Sequence, residues 1–241
     1  SYELHYNEAL RPIKESSALK FGNALDEALN ELLLTRNNQA AERIFISKWE
    51  DLRQKPTMIF FKSDFDESLL DNEDIKLLTE IKNDEELQDH TKNWLSLRKK
   101  GLKLLQVYND EILPHIKNVN SIQHNISIKN DSEDEITGII DLIAEIQPDL
   151  NSEDSIMAIM DNKTSSSQYP KNSYMTKEQT ALYTYATNIT HAGFFVLNKK
   201  TFKSQIIIGK VPEELQEKDI DDFVKILDNI KASHFPKKDN K

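Results

Sequence analysis

The chain has 241 residues, a net charge of −10 and no cysteine. This length allows one domain with a full core, and the missing cysteines exclude disulfides, cysteine nucleophiles and cysteine-ligated metal clusters. No apolar run approaches the ~18 residues of a membrane span, and the first residues are too polar for a signal peptide. These features predict a cytoplasmic protein with no membrane partner.

The charge is unevenly spread along the chain. Residues 1–160 hold 18 Lys and Arg against 31 acidic residues, whereas residues 161–241 hold 13 Lys against 10 acidic residues. The acidic total disfavours a general nucleic-acid coat protein. The last third is the part better suited to face a polyanion.

The first half of the chain is predicted to be mostly helical. Residues 1–16 are polar and partly helical in pattern, and Lys20–Leu34 is a helix because its apolar residues recur at helical spacing. Around Phe45 the pattern fits a helix or a strand. A short helix is predicted at Asn72–Ile81, capped by Asp71 or Asn72. Asp84–Leu113 is predicted as one long helix, or as two that are separated at Gly101, and it ends before Pro114.

The second half alternates strands and helices. We predict strands at Ser121–Ile128, Ile136–Ile146 and Ser155–Lys163, a turn at Asn130–Asp134, a helix at Thr176–Ile189, strands at Gly193–Leu197 and Phe202–Ile208, and a helix at Glu217–Ala232. This order predicts an α/β fold with a central mixed β-sheet flanked by helices. The whole chain, 1–241, is interpreted as one domain, with a mostly helical part at 1–118 and a core at 119–241.

Two of the apolar strands each carry an acid where an apolar residue would be expected. They are Asp141 and Asp161, and Lys163 shares the face of Asp161 because side chains two apart on a strand point the same way. If the strands pair across the loop 148–155, Asp141 lies beside Asp161. Two carboxylates and an ammonium are costly to bury, and carboxylates that share a hard cation are suited to phosphodiester hydrolysis. Glu145 shares the Asp141 face but lies ~13 Å along the strand, so it is left out of the site.

Three short motifs occur in a fixed order in this region. Gly138-Ile139-Ile140-Asp141 is followed by Asp161-Asn162-Lys163, and then by Gln179-Thr180-Ala181-Leu182-Tyr183. This order of GxxD, DxK and QxxxY resembles the PD-(D/E)XK nuclease superfamily, in its RecB-like, lambda-exonuclease-like branch. The resemblance covers about residues 121–235 well and the first third loosely.

The resemblance implies a restriction-endonuclease-like core that hydrolyses DNA with Mg²⁺ or Mn²⁺. Asp141, Asp161 and the backbone carbonyl of Asn162 would hold the cation, and Lys163 would act on the attacking water. Gln179 and Tyr183 would contact water or the DNA backbone. Several relatives hold an iron–sulfur cluster with cysteines, and this chain departs from them because it has none.

The implied activity is that of an exonuclease acting on DNA ends in phage or bacterial recombination or repair, as a homo-oligomer or with a recombination partner protein. Two alternatives stay open: a non-catalytic DNA-binding module, and an endonuclease of the same fold. For individual residues, the Asp161–Lys163 pair could be structural, and Tyr183 could belong to the core.

One further metal ligand is predicted in the first helix. Relatives often carry Gly-x-x-x-His there, and the matching stretch starts at Gly22 and places Asp26 at the histidine position. Asp26 lies at the edge of the apolar stripe, whereas Glu27 lies on the solvated side. The alternative is a surface aspartate favoured by the helix macrodipole.

Overall fold

A computed structural model describes residues 15–52, 58–62, 64–81, 83–129, 135–176 and 178–231. The chain forms two compact units, Ser1–Asn109 and Asp110–Lys241, and each is described by itself. The helical expectation for residues 1–14, the turn Asn130–Asp134 and the end of the last helix at Ala232 lie outside the described residues. Within the described ranges, none of the helices has the length and apolarity needed to cross a membrane.

The first unit is helical. Its helices are α1 (Ser17–Thr35), α2 (Asn38–Glu50), α3 (Asn72–Glu80) and α4 (Glu85–Val107), and a short parallel ladder joins β1 (Glu15–Ser16) to β2 (Met58–Ile59). The predicted helix at Lys20–Leu34 lies inside α1. The ambiguous stretch around Phe45 is helix α2, and Asp71 caps α3 in a capping box with Asp74.

Aromatic side chains pack the core of this unit and explain why a glycine lies within α4. Phe45 stacks on Trp49, and the indole N–H groups of Trp49 and Trp94 each donate to the other's backbone carbonyl at 3.0 Å. A Cβ at Gly101 would lie 2.0 Å from the Phe45 ring. Gly101 therefore does not break α4; it lets the Phe45 ring approach the helix. A π-helical turn, Tyr108–Ile112, continues α4 before Pro114.

The second unit contains a five-stranded mixed sheet. Its strands are β3 (Ile116–Lys129), β4 (Glu135–Ile146), β5 (Ile156–Ser165), β6 (His191–Asn198) and β7 (Ser204–Lys210), side by side in that order. All neighbours are antiparallel except β5 and β6, which are parallel and joined through α5 (Glu178–Thr187). Helix α6 (Glu213–Lys231) follows β7.

An apolar core joins the sheet to both helices. Ile143 of β4, Ile159 of β5 and Leu182 of α5 belong to one buried cluster, and Phe223 of α6 packs against it. The predicted fold class, an α/β fold with a central mixed sheet, flanking helices and a helical N-terminal part, is confirmed.

Several predicted bounds differ from the observed ones for physical reasons. Strand β3 begins at Ile116 rather than Ser121, because register shifts between Ile116 and Ser121 disturb the alternation of apolar residues. Helix α5 ends at Thr187, before Asn188 with its φ of 58°. Helix α6 begins at Glu213, directly after Pro212, where a proline suits the start of a helix.

Candidate active site

The sheet opens between β4 and β5. The two strands pair from Ile146–Ile156 to Leu142–Met160. Before Leu142, the described ladder of β4 is with β3, and after Met160 that of β5 is with β6. Asp141 and Asp161 are the first residues past the last shared pair, so the predicted neighbours lie at the point where the strands separate. We call this point the fork.

A solvent-accessible cleft of ≈ 130 Å³ lies at the fork. Asp141, Asp161, Lys163, Gln179 and Tyr183 all line it. A single water needs roughly 10–15 Å³ of such space, so the cleft has room for several waters. The structure therefore places five of the sequence-predicted site residues around one solvent-accessible space.

Lys163 and Asp161 form an ion pair inside this cleft. The Lys163 Nζ contacts Asp161 Oδ2, and the two side chains are 34% and 22% exposed. A partly exposed pair of this kind contributes little to stability, so stability alone gives weak reason to keep it. The ammonium supplies positive charge beside the two carboxylates.

Tyr183 lies against the β4 side of the fork. Its hydroxyl donates a hydrogen bond of 2.9 Å to the carbonyl of Ile139, two residues before Asp141. Burial raises the pKa of the Tyr183 phenol, and the negative charges of Asp141 and Asp161 raise it further. The two carboxylates therefore lie within electrostatic reach of one phenol.

Gly138 explains how the tyrosine ring reaches β4. A Cβ at this position would lie 3.1 Å from Tyr183 Cε1 and 3.3 Å from Ile126 Cγ1, closer than ordinary van der Waals contact. The glycine of the GxxD motif thus makes room for the tyrosine of the QxxxY motif. This contact links two motifs that are more than forty residues apart in the sequence.

Gln179 lies one helical turn before Tyr183 on α5. Its side chain is exposed, lines the cleft, and has no hydrogen-bond partner among the described residues. An unpaired amide at this position can donate to or accept from a bound water or phosphate oxygen.

A second, smaller space of ≈ 70 Å³ adjoins the cleft and shares five of its lining residues. It continues between β6 and the start of α5, where Thr180 and Phe194 line it. The sequence gave no signal that these two positions border the cleft. Glu145, in contrast, accepts a hydrogen bond from Ser155 at the other end of β4.

The donor set at the fork suits a hard divalent cation. Magnesium is commonly held by one or two carboxylates and keeps several waters, and the cleft offers two carboxylates and solvent space. Among the described residues, no group of three or more His, Cys, Asp or Glu side chains forms a cation site. The backbone carbonyl of Asn162 is the predicted third protein ligand. The Asn162 side chain is buried and has no hydrogen-bond partner in the described part of the chain.

Asp26 lies in the other unit, on α1. It is half-buried, and its charge raises the pKa of Tyr108, an effect second to burial of that phenol. Glu27 is exposed and pairs with Lys48 at 2.7 Å. The predicted difference in exposure between the two acids is observed, and the role of Asp26 as a ligand stays a prediction.

Comparisons with known proteins give no family assignment. No family model matches the chain, and no curated protein matches it. A solved structure titled "Crystal structure of SSO0001" matches 94% of this chain and 82% of that chain, with 10% sequence identity and a TM-score of 0.30. A likeness at this level leaves the function to be inferred from the site itself.

Proposed function

We propose that the protein is a metal-dependent deoxyribonuclease of the PD-(D/E)XK type, acting as an exonuclease on DNA ends. The observation that supports this most strongly is the fork. Three motifs that are separate in the sequence contribute Asp141, Asp161, Lys163, Gln179 and Tyr183 to one solvent-accessible cleft. Carboxylates that can hold a cation, and an ammonium that can stabilise negative charge on a phosphate, suit phosphodiester hydrolysis.

Asp141 and Asp161 are the proposed ligands of Mg²⁺ or Mn²⁺, with the backbone carbonyl of Asn162. When bound, such a cation lowers the pKa of water and stabilises negative charge on the phosphate. The two carboxylates lie where the strands separate, so solvent and a phosphate can enter between them.

Lys163 is the proposed catalytic lysine. Its ammonium lies beside Asp161 and can donate to a non-bridging phosphate oxygen, where negative charge grows as the water oxygen attacks phosphorus. The attack forms one P–O bond and breaks the bond to the departing sugar oxygen. Gln179 would hold the water or a phosphate oxygen through its unpaired amide.

Tyr183 has a different proposed role. Its hydroxyl already donates to Ile139, and its raised pKa keeps it protonated at neutral pH. It therefore acts as a positioning residue, which ties β4 to α5 and fixes Asp141 relative to Asp161.

The setting proposed with this activity follows the resemblance. The protein would act in the cytoplasm of a bacterium or a phage-infected cell, in recombination or repair. It would work as a homo-oligomer or with a recombination partner protein.

The test is digestion of end-labelled linear and covalently closed circular DNA, single- and double-stranded, with Mg²⁺, Mn²⁺ or excess EDTA. We expect linear DNA to be degraded with either metal, closed circles to survive, and EDTA to stop the reaction. Rapid nicking of closed circles would favour the endonuclease. Full activity in EDTA would overturn the metal mechanism, and DNA binding without any cleavage would favour a non-catalytic module.

A further inference from the structure

A group of lysines lies at the edge of the sheet beyond the fork. Strand β5 continues past Lys163 to Ser165, which pairs with Asn198 at the end of β6. The backbone N–H of Lys199 donates to the carbonyl of Ser165 at 2.7 Å. The turn between β6 and β7, which carries Lys199, Lys200 and Lys203, is thereby held against the end of the strand that carries Lys163.

Side-chain hydrogen bonds fix the shape of this turn. The Asn198 side-chain oxygen accepts from the backbone N–H groups of Lys200 at 2.9 Å and Thr201 at 3.0 Å. Asn198 and Lys203 are also joined through their backbones at 3.0 Å. The two lysines that follow Asn198 are therefore presented by a defined turn.

The chain that follows β5 brings a fourth lysine to the same edge. The backbone of Tyr169 is bonded twice to the Gln205 side chain, which donates to its carbonyl at 2.9 Å and accepts from its N–H at 3.1 Å. The Tyr169 ring also packs edge-on against Phe194. Lys171, two residues later, is thus held near the start of β7. We call Lys171, Lys199, Lys200 and Lys203 the lysine rim.

Three of the four rim lysines present their charge to solvent. Lys171, Lys200 and Lys203 are exposed, and none of the three forms an ion pair in the described part of the chain. Glu111 also lies at this edge, and its carboxylate accepts from the backbone N–H of Ser204 at 2.8 Å. Clustered exposed lysines in a chain of net charge −10 are suited to a polyanion.

We propose that the lysine rim binds the phosphate backbone of the DNA whose scissile phosphate lies at the fork. The proposal rests on the proposed nuclease function. Ser165 lies four residues beyond Asp161, which is ~13 Å along a strand. One DNA strand carries a phosphate about every 3.4 Å of helix axis, so the rim contacts phosphates about four nucleotides from the cleavage point.

The experiment measures the salt dependence of DNA binding by fluorescence anisotropy. A fluorescein-labelled duplex is titrated with the full chain in EDTA, which allows binding without cleavage. The variants are Lys200→Ala/Lys203→Ala and Lys171→Ala. The control, Lys210→Ala/Lys218→Ala, removes the same charge from the other end of β7 and from α6.

Each phosphate contact contributes about 0.9 to the slope of log K against log salt. We expect the slope of the double rim variant to fall by about two and that of Lys171→Ala by about one, and the slope of the control to match the wild type. Rim variants with the wild-type slope would overturn the rim assignment. If the wild type still cleaves DNA in that case, the nuclease proposal stands alone. In the separate case that the wild type neither binds nor cleaves DNA, both proposals fail.

Discussion

The Tyr183 hydroxyl donates a 2.9 Å hydrogen bond to the carbonyl of Ile139, and this bond ties α5 to β4 two residues before Asp141. At this point β4 has already left β5, so the shared ladder no longer holds the two carboxylates at a fixed separation. We propose that the tyrosine, from the helix, limits the movement of Asp141 at this end of β4. In a metal site, partners that orient a ligand commonly matter for affinity nearly as much as the ligand itself.

We expect Tyr183→Phe to weaken Mn²⁺ binding on the order of tenfold, because the β4 side of the fork loses its restraint. The free energy of unfolding should fall by only about 1 kcal/mol, the usual net value of one hydrogen bond. Calorimetric Mn²⁺ titration and denaturant unfolding measure the two effects. Tyr185→Phe, a half-exposed tyrosine two positions along α5, is the matched control. Equal Mn²⁺ affinity in Tyr183→Phe and the wild type would remove the positioning role.

Gly138→Ala tests the same contact from the strand side. Its new Cβ would lie 3.1 Å from Tyr183 Cε1, so the ring must shift by a few tenths of an ångström. We expect a destabilisation of about 1 kcal/mol and a larger loss of cleavage than of stability. Gly22→Ala on α1 is the control, since nothing lies within 4 Å of its Cβ position and alanine favours a helix. If Gly138→Ala cleaves DNA as fast as Gly22→Ala, the close approach has no catalytic consequence.

Lys163→Ala should abolish cleavage and leave DNA binding measurable. The lysine acts mainly on charge that develops in the transition state, so its loss falls on turnover more than on ground-state affinity. Single-turnover cleavage and anisotropy in EDTA measure the two quantities, with Lys210→Ala as the control. Cleavage near the wild-type rate would make the Asp161–Lys163 pair structural.

Asp26→Ala should raise the metal concentration for half-maximal activity on the order of tenfold, if Asp26 is an additional ligand. Glu27→Ala should leave it unchanged, because Glu27 is exposed and pairs with Lys48. Asp26 also acts on the Tyr108 phenol, so unfolding must be measured beside activity. A loss of stability with an unchanged metal requirement would assign Asp26 to the packing of its own unit.

The cap of α3 gives a prediction for pH. A hydrogen bond from Lys99 lowers the pKa of the Asp71 carboxyl from 3.8 to about 2, with help from the backbone N–H groups of the helix start. A lowered folded-state pKa stabilises the fold above the unfolded value, and that contribution is lost as pH falls through about 2. We expect the difference in unfolding free energy between the wild type and Asp71→Asn to shrink as the pH falls from the ordinary pKa of 3.8 to the folded-state pKa of about 2. Denaturant unfolding of the two proteins as a function of pH measures this difference, and a difference that does not change with pH would contradict the prediction.

The sequence predicted the elements whose patterns are regular. The apolar stripe of α1 and the apolar runs of β4 and β5 are local properties, and both were predicted correctly. The early start of β3 was missed because its register shifts disturb alternation. Gly101 looked like a helix break, since a sequence does not reveal that an aromatic ring from another helix needs the space.

The residues of the candidate site were predictable because they too form local patterns in the sequence. The acids in apolar strands and the order of the motifs are visible in the sequence, and they singled out residues that the fold brings together. The fork itself was not predictable, because it depends on how far β4 follows β3 and β5 follows β6. The contact between Gly138 and Tyr183 depends on the tertiary structure for the same reason.

Mn²⁺ binding measured by calorimetry, with DNA cleavage measured on the same samples, tests most directly whether Asp141 and Asp161 hold the catalytic cation. The variants are Asp141→Asn and Asp161→Asn. The matched control is Glu145→Gln, because Glu145 lies on β4 with Asp141 but accepts a hydrogen bond from Ser155. We expect both Asp variants to lose Mn²⁺ binding and cleavage together, and the control to keep both. Wild-type Mn²⁺ affinity and cleavage in either Asp variant would contradict this expectation.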